Sequence, residues 1–238
     1  MEKIITFETL RNFAYCNDRI VTRPIRGIVL NFFGLNGNVM FDGEAEDGER
    51  FAKEGLLYII PYYNPWSWMN RQTVDYMDEI LDVVIDGLGL DDNIPIASTG
   101  GSMGGLSALV YTAYAKRTPV SCVANCPVCD LPFHYTERGD LPRTLYSAFG
   151  TYEGTMQEAM ESASPLHLAA KMPTETKYII FHCDADTAVN KEKHSDRFVA
   201  TMRPDHDLVY HEVAGKGHCE LGDLWPLYNK LIVESLVK

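Results

Sequence analysis

The chain has 238 residues, 46% hydrophobic and 23% charged, a balance that suits a globular protein of one α/β domain. With 33 acidic against 21 basic residues the net charge is −12, which argues against nucleic acid as a partner because phosphate binding relies on clustered Lys and Arg. No apolar run approaches the ~18 residues of a membrane span, and Met1 to Glu8 lack the basic and apolar blocks of a secretory signal. The expectation is a cytoplasmic protein with no membrane partner, its six cysteines reduced rather than a disulfide framework.

Strands and helices alternate along the chain, which predicts a mostly parallel sheet of eight strands with helices on both faces, in one domain over 1–238. Two mixed stretches, 3–8 and 19–23, read as strands of an antiparallel edge. Residues 56–60 are a continuous apolar run and 27–33 one interrupted only by Asn31, as in strands buried on both faces. An aromatic loop follows, in which Tyr63, Trp66 and Trp68 are candidate substrate-pocket residues. A helix is predicted over 70–88, with Val74, Met77, Ile80, Leu81 and Val84 on one face. Next come a strand at 94–99, a helix at 102–116 and a strand at 120–124. The segment 125–169 is longer than a crossover needs and carries Pro127, Pro132 and Pro142. It reads as a lid above the sheet, with Phe133 as a further candidate pocket residue. Strands at 178–183 and 208–213 and helices at 191–202 and 221–237 complete the set.

The chemistry centres on Gly100-Gly101-Ser102-Met103-Gly104, a G-x-S-x-G pattern. Chance supplies such a pattern in about one chain in ten of this length, so its context carries the weight. It joins an apolar strand to a helix, the turn that a nucleophile elbow requires. Neither a phosphate-loop nor a dinucleotide-binding glycine pattern is present. A serine nucleophile needs a base and an orienting acid. His218 follows the last predicted strand, on a loop with Gly215 and Gly217, and is the candidate base. Asp186 is the preferred acid and Asp184 the alternative, both after the strand at 178–183. Amides of Met103 and Leu35 are the candidate oxyanion donors, Leu35 lying in the glycine-containing turn after 27–33. Cys126 and Cys129 form a C-x-x-C pair, but no second ligand pair stands at zinc spacing, so they read as buried thiols.

These residues resemble the α/β-hydrolase fold and, in detail, the catalytic domain of the prolyl oligopeptidase family and related esterases. Gly100-Gly101-Ser102-Met103-Gly104-Gly105 is similar to that family's G-G-S-x-G-G elbow, and Gly217-His218 to its terminal G-H. His182-Cys183-Asp184-Ala185-Asp186-Thr187-Ala188-Val189 resembles its H-G-x-x-D-x-x-V motif, which gives the acid role to Asp186. Cys183 departs from the usual Gly, and Phe33 stands where many relatives have His. The chain is too short to add a substrate-restricting β-propeller. The expectation is a serine hydrolase that cleaves a small carboxylic ester through an acyl-enzyme, with no cofactor and no metal. The alternatives are a peptidase acting on short peptides and a non-catalytic binding protein on the same fold.

Overall fold

The computed structural model describes residues 4–35, 37 and 39–237. Seven strands among them form one sheet in the order β1-β3-β2-β4-β5-β6-β7. The strands are β1 (Ala14–Cys16), β2 (Gly27–Phe32), β3 (Leu56–Pro61), β4 (Ile96–Gly101), β5 (Ser121–Asn125), β6 (Lys177–Cys183) and β7 (Leu208–Val213). All neighbouring pairs are parallel except β1 with β3. Ile28, Val29, Leu30, Leu56, Leu57 and Ile59 are completely buried, which is why β3 reads as an unbroken apolar run and β2 as one broken only by Asn31.

The sheet has seven strands where the sequence suggests eight, and its antiparallel edge is β1 rather than 3–8 or 19–23. Lys3 lies outside the described residues. Beyond it, Thr6 and Thr9 exchange hydroxyl and amide hydrogen bonds that close a turn, a local alternative to strand pairing. The second stretch turns at Asn17, whose carbonyl accepts from the amides of Ile20 and Val21. At three residues, β1 is too short to show an alternating pattern.

The longest helix, α2 (Arg71–Leu88), starts where Asn70 accepts from the Thr73 amide at 3.0 Å and stops at Gly89, whose φ is +61°. It buries Val74, Met77, Ile80, Leu81 and Val84 in the hydrophobic core. An earlier helix, α1 (Glu46–Lys53), has no counterpart in the sequence reading. Gly48 in its first turn disguises it, because glycine weakens a helix. A Cβ there would lie 2.1 Å from the Tyr15 hydroxyl, so the close approach of Tyr15 requires glycine.

After β4 comes α3 (Met103–Tyr114), the central helix packed on β4 and β5. The long segment between β5 and β6 folds into α4 (Leu131–Glu137), α5 (Leu141–Phe149), α6 (Met156–Ser162) and α7 (Pro165–Leu168). A short π-turn and α8 (Arg197–Met202) link β6 to β7, and α9 (Trp225–Leu236) closes the chain. Among the described residues no helix is long and apolar enough to cross a membrane.

Candidate active site

Ser102 sits between the last residue of β4 and the first of α3, with φ 59° and ψ −123°. A positive φ costs a non-glycine residue ~1–3 kcal/mol and persists only where its surroundings impose it. Here the Ser102 amide donates to the Asn125 carbonyl at 2.9 Å, and the Ser102 carbonyl accepts from the Leu106 amide at 3.1 Å. Glycine is compulsory on both sides. A Cβ on Gly100 would meet the Gly104 carbonyl oxygen at 2.4 Å, and one on Gly104 would meet that of Phe32 at 2.2 Å. The first amides of α3, that of Met103 among them, have no acceptor inside the helix.

Asp186 and His218 come from the loops after β6 and β7, at the carboxyl ends of adjacent parallel strands. His218 Nδ1–H donates to Asp186 Oδ2 at 2.6 Å. The other carboxylate oxygen accepts from the amides of Ala188 and Val189 at 2.8 and 2.9 Å. His182 lies beneath, its Nε2 3.4 Å from Asp186 Oδ2. Burial opposes ionisation of Asp186, but the hydrogen bonds from His182, His218 and Val189 outweigh it and hold the carboxyl far below the usual range. Burial likewise opposes a charged His218, yet the Asp186 carboxylate prevails and raises its pKa to about 9. Asp184 does other work, accepting from the Gly215 amide at 2.6 Å and so tying the two loops together.

Ser102 and His218 line one cavity of about 440 Å³ with Leu35, Trp68 and Met103. Among the described residues no hydrogen bond joins Ser102 Oγ to His218 Nε2, and Nε2 lies 3.7 Å from Cys219 Sγ. Contacts between nucleophile and base commonly tighten only when substrate is bound. A larger cavity of about 610 Å³ lies between α1 and α9 and shares Gly101 and Cys219 with the first, but it reaches neither Ser102 nor His218.

The aromatic candidates part company. Trp68 lines the cavity, buried, with its Nε1–H donating to Thr144 at 3.0 Å. Trp66 packs edge-on against Trp68, outside the lining. Tyr63 is buried and donates to the Phe33 carbonyl at 3.2 Å, so it holds the turn that carries Leu35. Phe133 packs on the ring of His194 rather than on the cavity.

His134, Arg138 and Leu141 also line the cavity, and the sequence reading named none of them. His134 Nδ1 and His194 Nε2 both donate to Glu137 Oε2, at 2.6 and 2.8 Å, which pins α4 to the segment after β6. Burial pushes His194 down to about 4 despite Glu137. The three-residue spacing of His134 and Glu137 on one helix face was the available signal. The fold and the elbow already point to one relationship, and the profile of the prolyl oligopeptidase family matches residues 68–223, about two thirds of the chain.

The chain belongs to the prolyl oligopeptidase family. It is by family a serine hydrolase of the α/β-hydrolase fold. It is 28% identical to feruloyl esterase D of Neurospora crassa over 139 residues, which are 58% of this chain and 42% of that protein. The chain thus matches less than half the length of that curated relative. An esterase from the planctomycete Thermogutta terrifontis superposes with a TM-score of 0.67 at 19% identity, covering 94% of this chain and 88% of that one. A puromycin-hydrolyzing peptidase from Mycobacterium tuberculosis superposes at 0.69 and 17% identity, covering 90% of this prolyl oligopeptidase-family chain and 33% of its own.

Proposed function

We propose that this chain hydrolyses a small carboxylic ester by acyl transfer through Ser102, with His218 as base and Asp186 as the acid that orients it. The observation that carries the reading is the 2.6 Å His218–Asp186 hydrogen bond at the rim of the cavity that also holds Ser102. Nδ1–H held by Asp186 fixes the tautomer that leaves the Nε2 lone pair free to take a proton.

In the reaction, Ser102 Oγ attacks the ester carbonyl as its proton passes to His218 Nε2. The amides of Met103 and Leu35 receive the oxyanion. Asp186 stabilises the imidazolium, which then protonates the departing alcohol. Water, deprotonated by His218, attacks the acyl-Ser102 ester in the second half. The acid is released and the serine proton restored.

Two observations favour ester over peptide. The cavity is small, and Trp68, Met103, Leu141 and Val189 give it an apolar wall suited to an acyl chain. Among its lining residues there is no carboxylate to receive the ammonium end of a short peptide. The similarity to an esterase over 139 residues supports the same choice.

The test compares activated esters with aminoacyl amides of matching acyl group, on the wild type and on Ser102→Ala. Ester turnover by the wild type, lost in a folded Ser102→Ala variant, is expected. Turnover retained by that variant would overturn the nucleophile. Amide turnover equal to ester turnover would overturn the ester assignment in favour of a peptidase.

A further inference from the structure

Cys126 and Cys219 flank His218, and the proposed reaction uses neither thiol. We propose that Cys126 Sγ, Cys219 Sγ and His218 Nε2 form a site for a soft divalent cation, Zn²⁺ or a similar ion, whose binding silences the hydrolase. Each of the three residues has a ligand atom within 4.8 Å of those of the other two. Tetrahedral zinc with Zn–S near 2.3 Å and Zn–N near 2.0–2.1 Å places sulfur and nitrogen about 3.6 Å apart. The Nε2–Sγ separation at His218 and Cys219 is 3.7 Å, so that edge is already close to coordination length.

The surroundings suit bound thiolate and imidazole. Cys126 Sγ accepts from the amides of Cys183 and Cys219, each at 3.4 Å, and such donors support the charge of a metal-bound sulfur. Asp186 holds the far side of the His218 ring at 2.6 Å, the carboxylate–histidine arrangement that orients imidazole ligands. Both cysteines have left-handed backbones, φ 46° at Cys126 and 60° at Cys219, an uncommon conformation for non-glycine residues. His218 and Cys219 line the active-site cavity, which offers an entry path for the ion.

Two other groupings come as close but are already spent. His194 Nδ1 accepts from the amides of Cys129 and Asp130, both at 3.1 Å, while its Nε2 donates to Glu137. His182 bonds Ser195 through Nδ1 at 2.6 Å and the Val189 carbonyl through Nε2 at 3.1 Å. Among the described residues His218 Nε2 makes no hydrogen bond outside this cluster, its contact at 3.7 Å being with Cys219 Sγ.

On binding, the two S–H bonds break, together with the Nε2–H bond wherever His218 is protonated; two metal–sulfur bonds and one metal–nitrogen bond form, and two protons, or three from the charged imidazolium, leave to solvent. No electron is transferred. The ion occupies the lone pair that His218 needs as a base. That inhibitory consequence rests on the proposed function; the binding itself does not.

Co²⁺ serves as the spectroscopic probe, added to the reduced full-length chain. One equivalent should give the intense near-ultraviolet thiolate-to-cobalt band, and Zn²⁺ should bleach it. Cys219→Ala should weaken binding at least ~10-fold, the least that losing even an outer-shell partner costs, while Ser102→Ala keeps the band. Zn²⁺ should inhibit ester turnover reversibly by a chelator, with its midpoint at least ~10-fold higher in Cys219→Ala. No thiolate band in the wild type, or an unchanged band in Cys219→Ala, overturns the site. Zn²⁺ inhibition equal in both proteins overturns the inhibitory role. A normal cobalt band without ester turnover leaves the metal site standing and counts against the hydrolase reading alone.

Discussion

Asp186 Oδ2 and His218 Nδ1 stand 2.6 Å apart although 32 residues separate them in the chain. Parallel pairing of β6 with β7 closes that gap, because both residues lie on loops that leave the same edge of the sheet. The consequences of this pair can be measured.

The first concerns pH. Only neutral His218 can accept a proton, and Asp186 raises its pKa to about 9 against an unperturbed value of about 6.5. With chelator present, kcat/KM for an ester should climb between pH 7 and 9 rather than level off near 6.5. Asp186→Asn removes the charge that raises the pKa, so its acid limb should move to lower pH. Its plateau should fall by up to roughly 10⁴-fold, as loss of an orienting acid does elsewhere. Stopped-assay pH profiles of both proteins check this; identical limbs would contradict it.

Stability should move the opposite way. A histidine whose pKa is raised by folding stabilises the fold fully below its unfolded value of about 6.5, and that contribution is lost as pH rises through about 9. Asp186, whose pKa is lowered, contributes above its unfolded value of about 3.9 and loses this as pH falls toward its folded value. The deficit of His218→Gln in urea unfolding should therefore be larger at pH 6 than at pH 10. A constant deficit would contradict the shift.

Gly104→Ala should destabilise the protein by ~2–3 kcal/mol or more, since its Cβ would fall 2.2 Å from the backbone oxygen of Phe32. The measurement is the thermal midpoint, with Gly139→Ala, which meets nothing within 4 Å, as control.

Trp68→Phe removes the 3.0 Å bond to Thr144 and part of the cavity wall. A loss of ~1–3 kcal/mol is expected. Under the proposed function, steady-state kinetics should show KM rising more than kcat falls, because Trp68 lines the cavity and belongs to no proton-transfer pair.

Much of this was legible in the chain. β3 is apolar without interruption and β2 apolar but for Asn31 because both faces of the sheet are buried, and the elbow glycines are compulsory because backbone passes where a Cβ would stand. β1 and α1 were hidden, one by its shortness and the other by Gly48, which makes room for Tyr15. Trp68 lines the cavity while its neighbours Tyr63 and Trp66 do not, a difference of side-chain direction that composition does not carry. Cys126 was read with Cys129, its neighbour in sequence, whereas its sulfur faces the backbone amide of Cys219, 93 residues away.

The most direct test of Ser102 as the nucleophile is reaction with a fluorophosphonate followed by peptide mapping by mass spectrometry. A single adduct on Ser102, absent from Ser102→Ala and sharply slowed in His218→Gln, is the expected result. An unlabelled wild type, or an adduct on any other residue, would contradict acyl transfer at Ser102.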